Sequence, residues 1–332
     1  MKLKIGLTYD LRSEYLAEGY SEDDVAEFDS ESTVASIEEA LHTLGHWTDR
    51  IGHARRLCER LVAGDRWDLV FNIAEGLAGR CRESQVPCIL DLYQIGYTFS
   101  DGLVLAATLD KAVAKRLVAA AGLATPAFRV VETPDDVARV ALKYPVFAKP
   151  LAEGTGAGID ERSRIQTPEA LAAACEALLA RFAQPVLVEE YLPGREVTTG
   201  VLGTGATARV LGTMEFRLRR GPDHAIYSYQ TKEQCESLVE YFPMEHGPLR
   251  REVEALALDA YRVLECRDAA RVDVRMDADG RPSFLEVNPL AGLHPSHSDL
   301  CMIATQEGMS YVELIGAIVD GAIARLGLSD AH

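Results

Sequence analysis

Apolar positions in the first hundred residues follow two alternating rhythms. Short runs such as "KIGLTYD", "HWTDRIG" and "DLVFNIA" read as strands, and the stretches between them carry helical spacing. Val34, Ile37, Leu41 and Leu44 recur at i, i+3, i+7 and i+10, one stripe of a helix over 33–44 that Gly45 would cap. Another helix is expected near 53–63. Strand, helix and strand in succession predict an open α/β sheet with parallel strands.

The rhythm then changes. A helix over 110–121 stops at Gly122, and the strand "AFRVV" follows. Next come a helix over 134–143, the strand "PVFAKP", a glycine-rich loop, a helix over 167–181 and the strand "PVLVEEYL". From Arg195 strands dominate: "EVTTGVLG" and "ARVLGTMEFRL". The polar stretch from Arg219 to His246 lacks a strong period and is too long for an ordinary connection, so it reads as a functional loop. A helix over 248–264, two strands around a tight turn and a final helix over 309–326 close the chain. No internal repeat is visible. The expected division is an N-terminal α/β domain over 1–102, a small central α+β unit over 103–192 and a C-terminal α+β unit over 193–332.

Composition narrows the function. A net charge of −17 and a pI near 4.9 argue against nucleic acid or an anionic membrane as partner, since both select basic surfaces. Residues 14–31 hold eight acidic side chains in eighteen, a solvated loop or a cation-binding one. The seven cysteines are scattered without a C-x-x-C pair and read as buried free thiols. The opening apolar stretch is too short for a signal sequence and no 18-residue apolar run occurs, so a cytoplasmic location is expected.

The tight turn carries the most chemistry. In "ARVDVRMDADGRPSFLEVNPL", Arg271 and Asp273 are two apart, as are Glu286 and Asn288, so each pair shares a strand face. Asp279-Gly280 supplies the turn. Two carboxylates and an amide oxygen are hard ligands suited to Mg²⁺, which also bridges phosphates, and the arginine beside them can neutralise an oxyanion. A solvated hairpin has the same spacing. Lys149 ends an apolar strand and faces a loop with Gly154, Gly156 and Gly158, whose amides can cradle a phosphate, although a plain turn fits too. In "VLVEEYLPGRE", main-chain groups at Glu190, Tyr191 and Leu192 suit an adenine, and Glu196 can accept from ribose hydroxyls, with Glu189 on the same strand.

Taken in order, Lys111, Lys149 with its loop, Glu189 to Glu196, Lys232, Arg271-x-Asp273 and Glu286-x-Asn288 resemble the ATP-grasp superfamily. The likeness is closest to the D-alanine–D-alanine ligases and their relatives, from about residue 65 to the C-terminus. It is carried by Asp110-Lys111, "AKPLAEGTGAG", "EEYLPGRE", "RVDV", "LEVNP" and "GLHPSHSDL". The resemblance implies an ATP-grasp fold and an acyl-phosphate mechanism: a carboxylate attacks the γ-phosphate of ATP, then an amine attacks the acyl phosphate. It implies that Lys111, Lys149 and Lys232 hold phosphates beside the Glu153, Gly154, Thr155 and Gly156 loop, and that Glu196 holds the ribose. Asp273, Glu286 and Asn288 would bind two Mg²⁺ ions, with Mn²⁺ an alternative, and Arg271 would steady the oxyanion. A flap over about 218–246 would close on ATP between the last two units, and relatives are commonly homodimers.

The substrate side departs from the ligases. "LTYDLRSEYLAEGYSEDDVAEFD" lacks the usual S-x-E segment, Glu75 replaces a histidine, and Arg80 replaces an acid. Glu233 stands where the flap tyrosine belongs, Thr155 replaces a serine, and "GLHPSHSDL" is one residue longer than its counterpart, with His297 and Ser298 in reach of a second substrate. These changes predict a carboxylate–amine ligase for substrates other than D-alanine. The alternatives are a D-alanine–D-alanine ligase with an unusual pocket and an ATP-grasp kinase. His294, His297, Glu233 and Glu75 are candidate bases, and substrate recognition is expected at the acidic N-terminal loop and at Arg80, Arg82 and Glu83.

Overall fold

A computed structural model describes residues 2–218 and 239–328. Three sheets organise them. In the first, β1 (Lys4–Thr8) lies between β2 (Trp47–Gly52) and β3 (Leu69–Asn72), all parallel, as the opening rhythm predicts. The helix Glu31–Thr43 covers this sheet, started by the Ser30 side chain, which accepts from the Thr33 amide. Val34, Ile37 and Leu41 are buried, whereas Leu44, the last member of the predicted stripe, is the C-cap and lies exposed.

The second sheet is antiparallel, with β4 (Phe128–Val131), β5 (Val146–Pro150), β6 (Arg164–Ile165) and β7 (Val186–Glu190) in the order β4-β7-β5-β6. The third is also antiparallel, built from β8 (Glu196–Leu202), β9 (Arg209–Leu218), β10 (Val239–Pro243), β11 (Ala269–Met276) and β12 (Pro282–Asn288), in the order β10-β9-β8-β11-β12. The helices Ala54–Val62, Lys111–Ala120, Pro168–Phe182, Pro248–Val263 and Tyr311–Leu326 match the sequence pattern.

Several expectations need correction. The helix over 134–143 is only a short 3-10 turn, Pro134–Arg139. Val140, Leu142 and Tyr144 then pack on the core at a two-residue spacing, and Pro145 disfavours helix at the residue before it. The polar stretch ending at His246 contains strand β10, paired with Met214–Leu218. Helices Arg12–Ala17, Gln85–Leu92, Gly102–Leu109 and Asp299–Gln306 carry too few turns to show a period. Cys58, Cys81 and Cys88 are exposed, against the expectation of buried thiols, while Cys175, Cys266 and Cys301 are buried. Among the described residues no helix is long and apolar enough to cross a membrane.

The chain's last helix packs against the first sheet as well as against Leu202 and Ala269 of the third and Leu300 of the helix Asp299–Gln306. Leu314, Ile315, Ile318 and Val319 join Leu3, Ile5 and Leu41 in one core, so the C-terminal helix completes the packing of the first sheet. Asp268, fully buried before β11, accepts from the Phe99 amide and the Arg325 guanidinium, both at 2.8 Å, which fixes the third sheet against the first.

Candidate active site

The β11–β12 hairpin forms as its alternation predicts. Arg271 faces Asn288 and Asp273 faces Glu286 in register, and Gly280 takes φ +79° in the turn. Asp273 accepts from Thr198 Oγ1 at 2.6 Å and from Arg271 at 3.0 Å. The other end of the Arg271 guanidinium reaches Asp299 at 2.7 Å, a carboxylate supplied by the first turn of Asp299–Gln306. Burial, reinforced by Glu286 and opposed by Arg271, raises the Asp273 carboxyl above its ordinary pKa. A cation between Asp273 and Glu286 would relieve that cost. No group of three or more His, Cys, Asp or Glu occurs at cation spacing among the described residues, so an ion here draws the rest of its shell from Asn288, water and phosphate oxygens, which suits Mg²⁺.

Two lysines converge on the same carboxylate from the opposite wall. Asp110 caps the helix Lys111–Ala120, accepting from the amides of Ala112 and Val113, and so holds Lys111 at its first turn. Lys111 Nζ lies 3.6 Å from Glu286 and donates to the Glu153 carbonyl at 2.6 Å. Lys149 Nζ, from the end of β5, lies 3.9 Å from Glu286 and 3.0 Å from Glu189. Glu189 is therefore not a free hinge group. It is 3% exposed and is also paired at 2.8 Å with Lys115, a fully buried lysine that the sequence reading missed. Lys115 sits four residues after Lys111, on the inward face of the same helix, which is the signal that could have found it. Burial would lower the Lys149 ammonium, but Glu189 and Glu286 outweigh it and hold it above its ordinary pKa. Burial would likewise raise Glu189, and the two lysines hold it below instead.

The predicted hinge borders the same cleft. Amides of Glu190 and Tyr191 are already given to the carbonyls of Ala127 and Pro145, so Leu192 is the hinge position whose amide has no partner among the described residues. Phe147, Ile159, Leu192, Phe216 and Leu285 give the cleft apolar walls beside the lysines. Glu196 accepts from Arg275 at 2.8 Å, and Arg275 also reaches the Tyr191 hydroxyl at 3.3 Å. Arg275 was legible in principle, since it lies two residues beyond Asp273 on the same strand face.

A second cavity of about 280 Å³ opens on the other side of Arg271 and Glu286. Glu75, Thr155, His297 and Ser298 line it, as do Glu83, from the segment where substrate recognition is expected, and Tyr241, which the sequence reading did not single out. Ser298 Oγ accepts from the His294 amide at 2.9 Å, and the His297 ring stacks on His294. Thr155 takes φ +49°, and its buried Oγ1 has no partner among the described residues. Glu27, from the acidic N-terminal stretch, also reaches this cavity: its carboxylate accepts from the Gly154 amide and pairs with Arg82 at 2.5 Å. The Gly154 amide is thereby turned to Glu27, and the loop faces the lysine cleft through Glu153, Gly156, Ala157 and Ile159. Arg80 does not join the cavity. Its exposed guanidinium binds Asp110 at 2.6 Å, beside a separate cleft. Lys232 and Glu233, and with them most of the expected flap, lie outside the described residues.

The two spaces thus meet at Arg271 and Glu286. One offers cations, two carboxylates and an amide to a polyphosphate. The other offers carboxylates, hydroxyls and a histidine to a small polar molecule. Charge neutralisation and positioning are what phosphoryl transfer requires.

Comparison with known proteins agrees. The family model "D-ala D-ala ligase C-terminus" matches residues 117–320. The D-alanine–D-alanine ligase of Bordetella petrii is 34% identical over 278 residues, covering 82% of this chain and 80% of that protein. The uncharacterized protein y4sG of Sinorhizobium fredii is 33% identical over 270 residues, 77% of this chain and 75% of that one. A crystal structure of the Bacillus anthracis D-alanine–D-alanine ligase complexed with ATP superposes with a TM-score of 0.74 at 19% identity, covering 98% of this chain and 99% of that one, a likeness of fold.

Proposed function

Because the chain belongs to the D-alanine–D-alanine ligase family and is an ATP-dependent ATP-grasp ligase, we propose that it joins a carboxylate other than D-alanine to an amine through an acyl phosphate. The observation that carries this reading is the contrast between the two spaces. Lys111, Lys149, Asp273, Glu286 and Asn288 keep the arrangement a magnesium nucleotide needs, whereas the neighbouring cavity is walled by Glu27, Glu75 and Glu83.

In this reading ATP lies along the lysine cleft, its base toward Leu192 and Tyr191 and its ribose at Glu196. Asp273, Glu286 and Asn288 would hold two Mg²⁺ ions, which would supply charge neutralisation at the phosphates. Lys111 and Lys149 orient the γ-phosphate toward the carboxylate in the adjoining cavity. Arg271 is held by Asp273 and Asp299 on either side, so its guanidinium is fixed where the two spaces meet and stabilises the tetrahedral oxyanion with little reorganisation. Ser298 and the turn before it receive the second substrate. Lys232, outside the described residues, adds a third cation to the phosphates in this reading.

The test is release of ADP and phosphate from MgATP with single and paired D- and L-amino acids and amines, with mass spectrometry of products. An amide formed from a pair other than D-alanine supports the proposal. D-Alanyl-D-alanine formed from D-alanine alone would instead make the chain a D-alanine–D-alanine ligase with an altered pocket, a reading its 34% identity to one favours. A phosphorylated product with no amide would replace ligation by phosphorylation.

A further inference from the structure

The carboxylates around the 280 Å³ cavity are not equivalent. Four have partners: Glu27 is paired with Arg82 at 2.5 Å, Glu153 accepts from Gln184 at 2.5 Å, Asp299 holds Arg271 at 2.7 Å, and Glu286 faces Lys111 at 3.6 Å. Glu75 and Glu83 have no hydrogen bond or ion pair among the described residues. Glu83 is only 9% exposed, and both face the cavity. A buried carboxylate without a partner carries a desolvation cost that structures rarely tolerate unless a ligand removes it. The strain shows in the acidities. Burial outweighs the nearby charges of Arg82 and Lys111 and, with Glu27 adding to it, pushes Glu83 up to about 8, and burial with the charge of Glu83 raises Glu75 well above the usual range against Arg82.

Resting on the ligase reading above, we propose that Glu75 and Glu83 together receive a cationic side chain, so that the substrate in this cavity is an amino acid bearing a basic amino or guanidino group. An aliphatic side chain would leave Glu83 buried against hydrocarbon. A basic amino acid places its side-chain cation against the pair and leaves its α-carboxylate free to face Arg271 and the magnesium site. Thr155 Oγ1, also buried and unpartnered at this wall, supplies a hydroxyl to the same ligand.

The experiment compares charge at constant shape. The full chain, loaded with Mg²⁺ and a non-hydrolysable ATP analogue, is titrated calorimetrically with D- and L-lysine, ornithine and arginine, and with D- and L-norleucine as the uncharged counterpart of lysine. At least one basic compound is expected to bind about tenfold or more tighter than norleucine, the worth of one charge-assisted hydrogen bond. Glu83→Gln and, independently, Glu75→Gln should bring that ratio close to one, while the analogue still binds and shows each variant folded. Equal affinity for lysine and norleucine would overturn the proposal, since it means that the carboxyls are neutral donors. So would a lysine preference unchanged in both variants, or no binding by any basic compound. Amide synthesis from neutral amino acids alone would overturn it too, yet leave the ligase reading standing, so the two failures are distinguishable.

Discussion

Replacing Glu189 by Gln should destabilise the protein by about 3–5 kcal/mol, the usual consequence of breaking a buried charge pair from one side. Two buried ammoniums depend on this carboxylate, Lys115 at 2.8 Å and Lys149 at 3.0 Å. Lys149 keeps Glu286 at 3.9 Å, but Lys115 is fully buried and retains only Thr125 Oγ1 at 3.1 Å and the Phe284 carbonyl at 3.4 Å. The 2.8 Å contact sets a full negative charge against the Lys115 ammonium, and the neutral amide of Gln cannot supply that charge compensation. Burial already lowers the Lys115 pKa, and losing Glu189 lowers it further. An unfolded chain then binds more protons than the folded one below pH 10.5, so the deficit of the variant should shrink as pH rises toward that value. Adding Lys115→Met removes the stranded charge and should restore stability to within about 2 kcal/mol of wild type, because a well-packed apolar side chain replaces a buried ion at little cost. Urea unfolding of the wild type, both single variants and the double variant at several pH values measures all of this. The reasoning is refuted if Glu189→Gln loses less than about 1 kcal/mol, or if the double variant is no more stable than Glu189→Gln alone.

Other consequences follow from the same geometry. Lys149→Ala should reduce ATP turnover at least about 100-fold, as loss of a preorganised charge at a phosphoryl centre does, with product formation followed once a substrate pair is in hand. Asp273→Asn should raise the Mg²⁺ concentration needed for half-maximal nucleotide binding about tenfold, read by titration of metal at fixed nucleotide. Arg275→Met should weaken ATP binding by about three- to tenfold without a comparable fall in kcat, because Glu196 and Tyr191 lose the cation that orients them. Glu83 binds a proton in the folded state up to about pH 8 and loses it near 4.5 when unfolded, so its contribution to stability falls as pH rises between those values. Glu83→Gln should therefore gain on the wild type by roughly 2 kcal/mol or more between pH 5 and 8, measured on the ligand-free protein by chemical denaturation.

Much of the nucleotide side was legible because its signals are local. Arg271, Asp273, Glu286 and Asn288 share a face by strand alternation, and Asp110 with Lys111 marks a helix start; both are rules of spacing within a few residues. What spacing could not show is how charges pair across elements. Glu189 reads as one more glutamate of a hinge until β7 is seen beside β5 and the helix bearing Lys115. The 3-10 turn at Pro134–Arg139 was misread because Val140, Leu142 and Tyr144 satisfy a helical and an extended pattern almost equally, and Pro145 decided between them. Strand β10 was hidden by its polar surroundings, and the final helix gave its own period without revealing that part of its partner core is more than 250 residues upstream.

The substrate cavity illustrates the limit most sharply. Glu27, Glu83, Thr155, Tyr241 and Ser298 come from five distant segments, and none belongs to a motif with the others. Glu27 nevertheless couples the two halves of the site, because its carboxylate takes the Gly154 amide while its partner Arg82 donates to the Ala152 carbonyl at 3.0 Å. The loop that carries Thr155 is therefore fixed in place by the acidic N-terminal stretch, which on charge alone looked like solvated surface. Glu27 and Arg82 thus tie the Gly154 amide and the Ala152 carbonyl to the wall of the substrate cavity, a pairing across three segments that no local spacing rule could show.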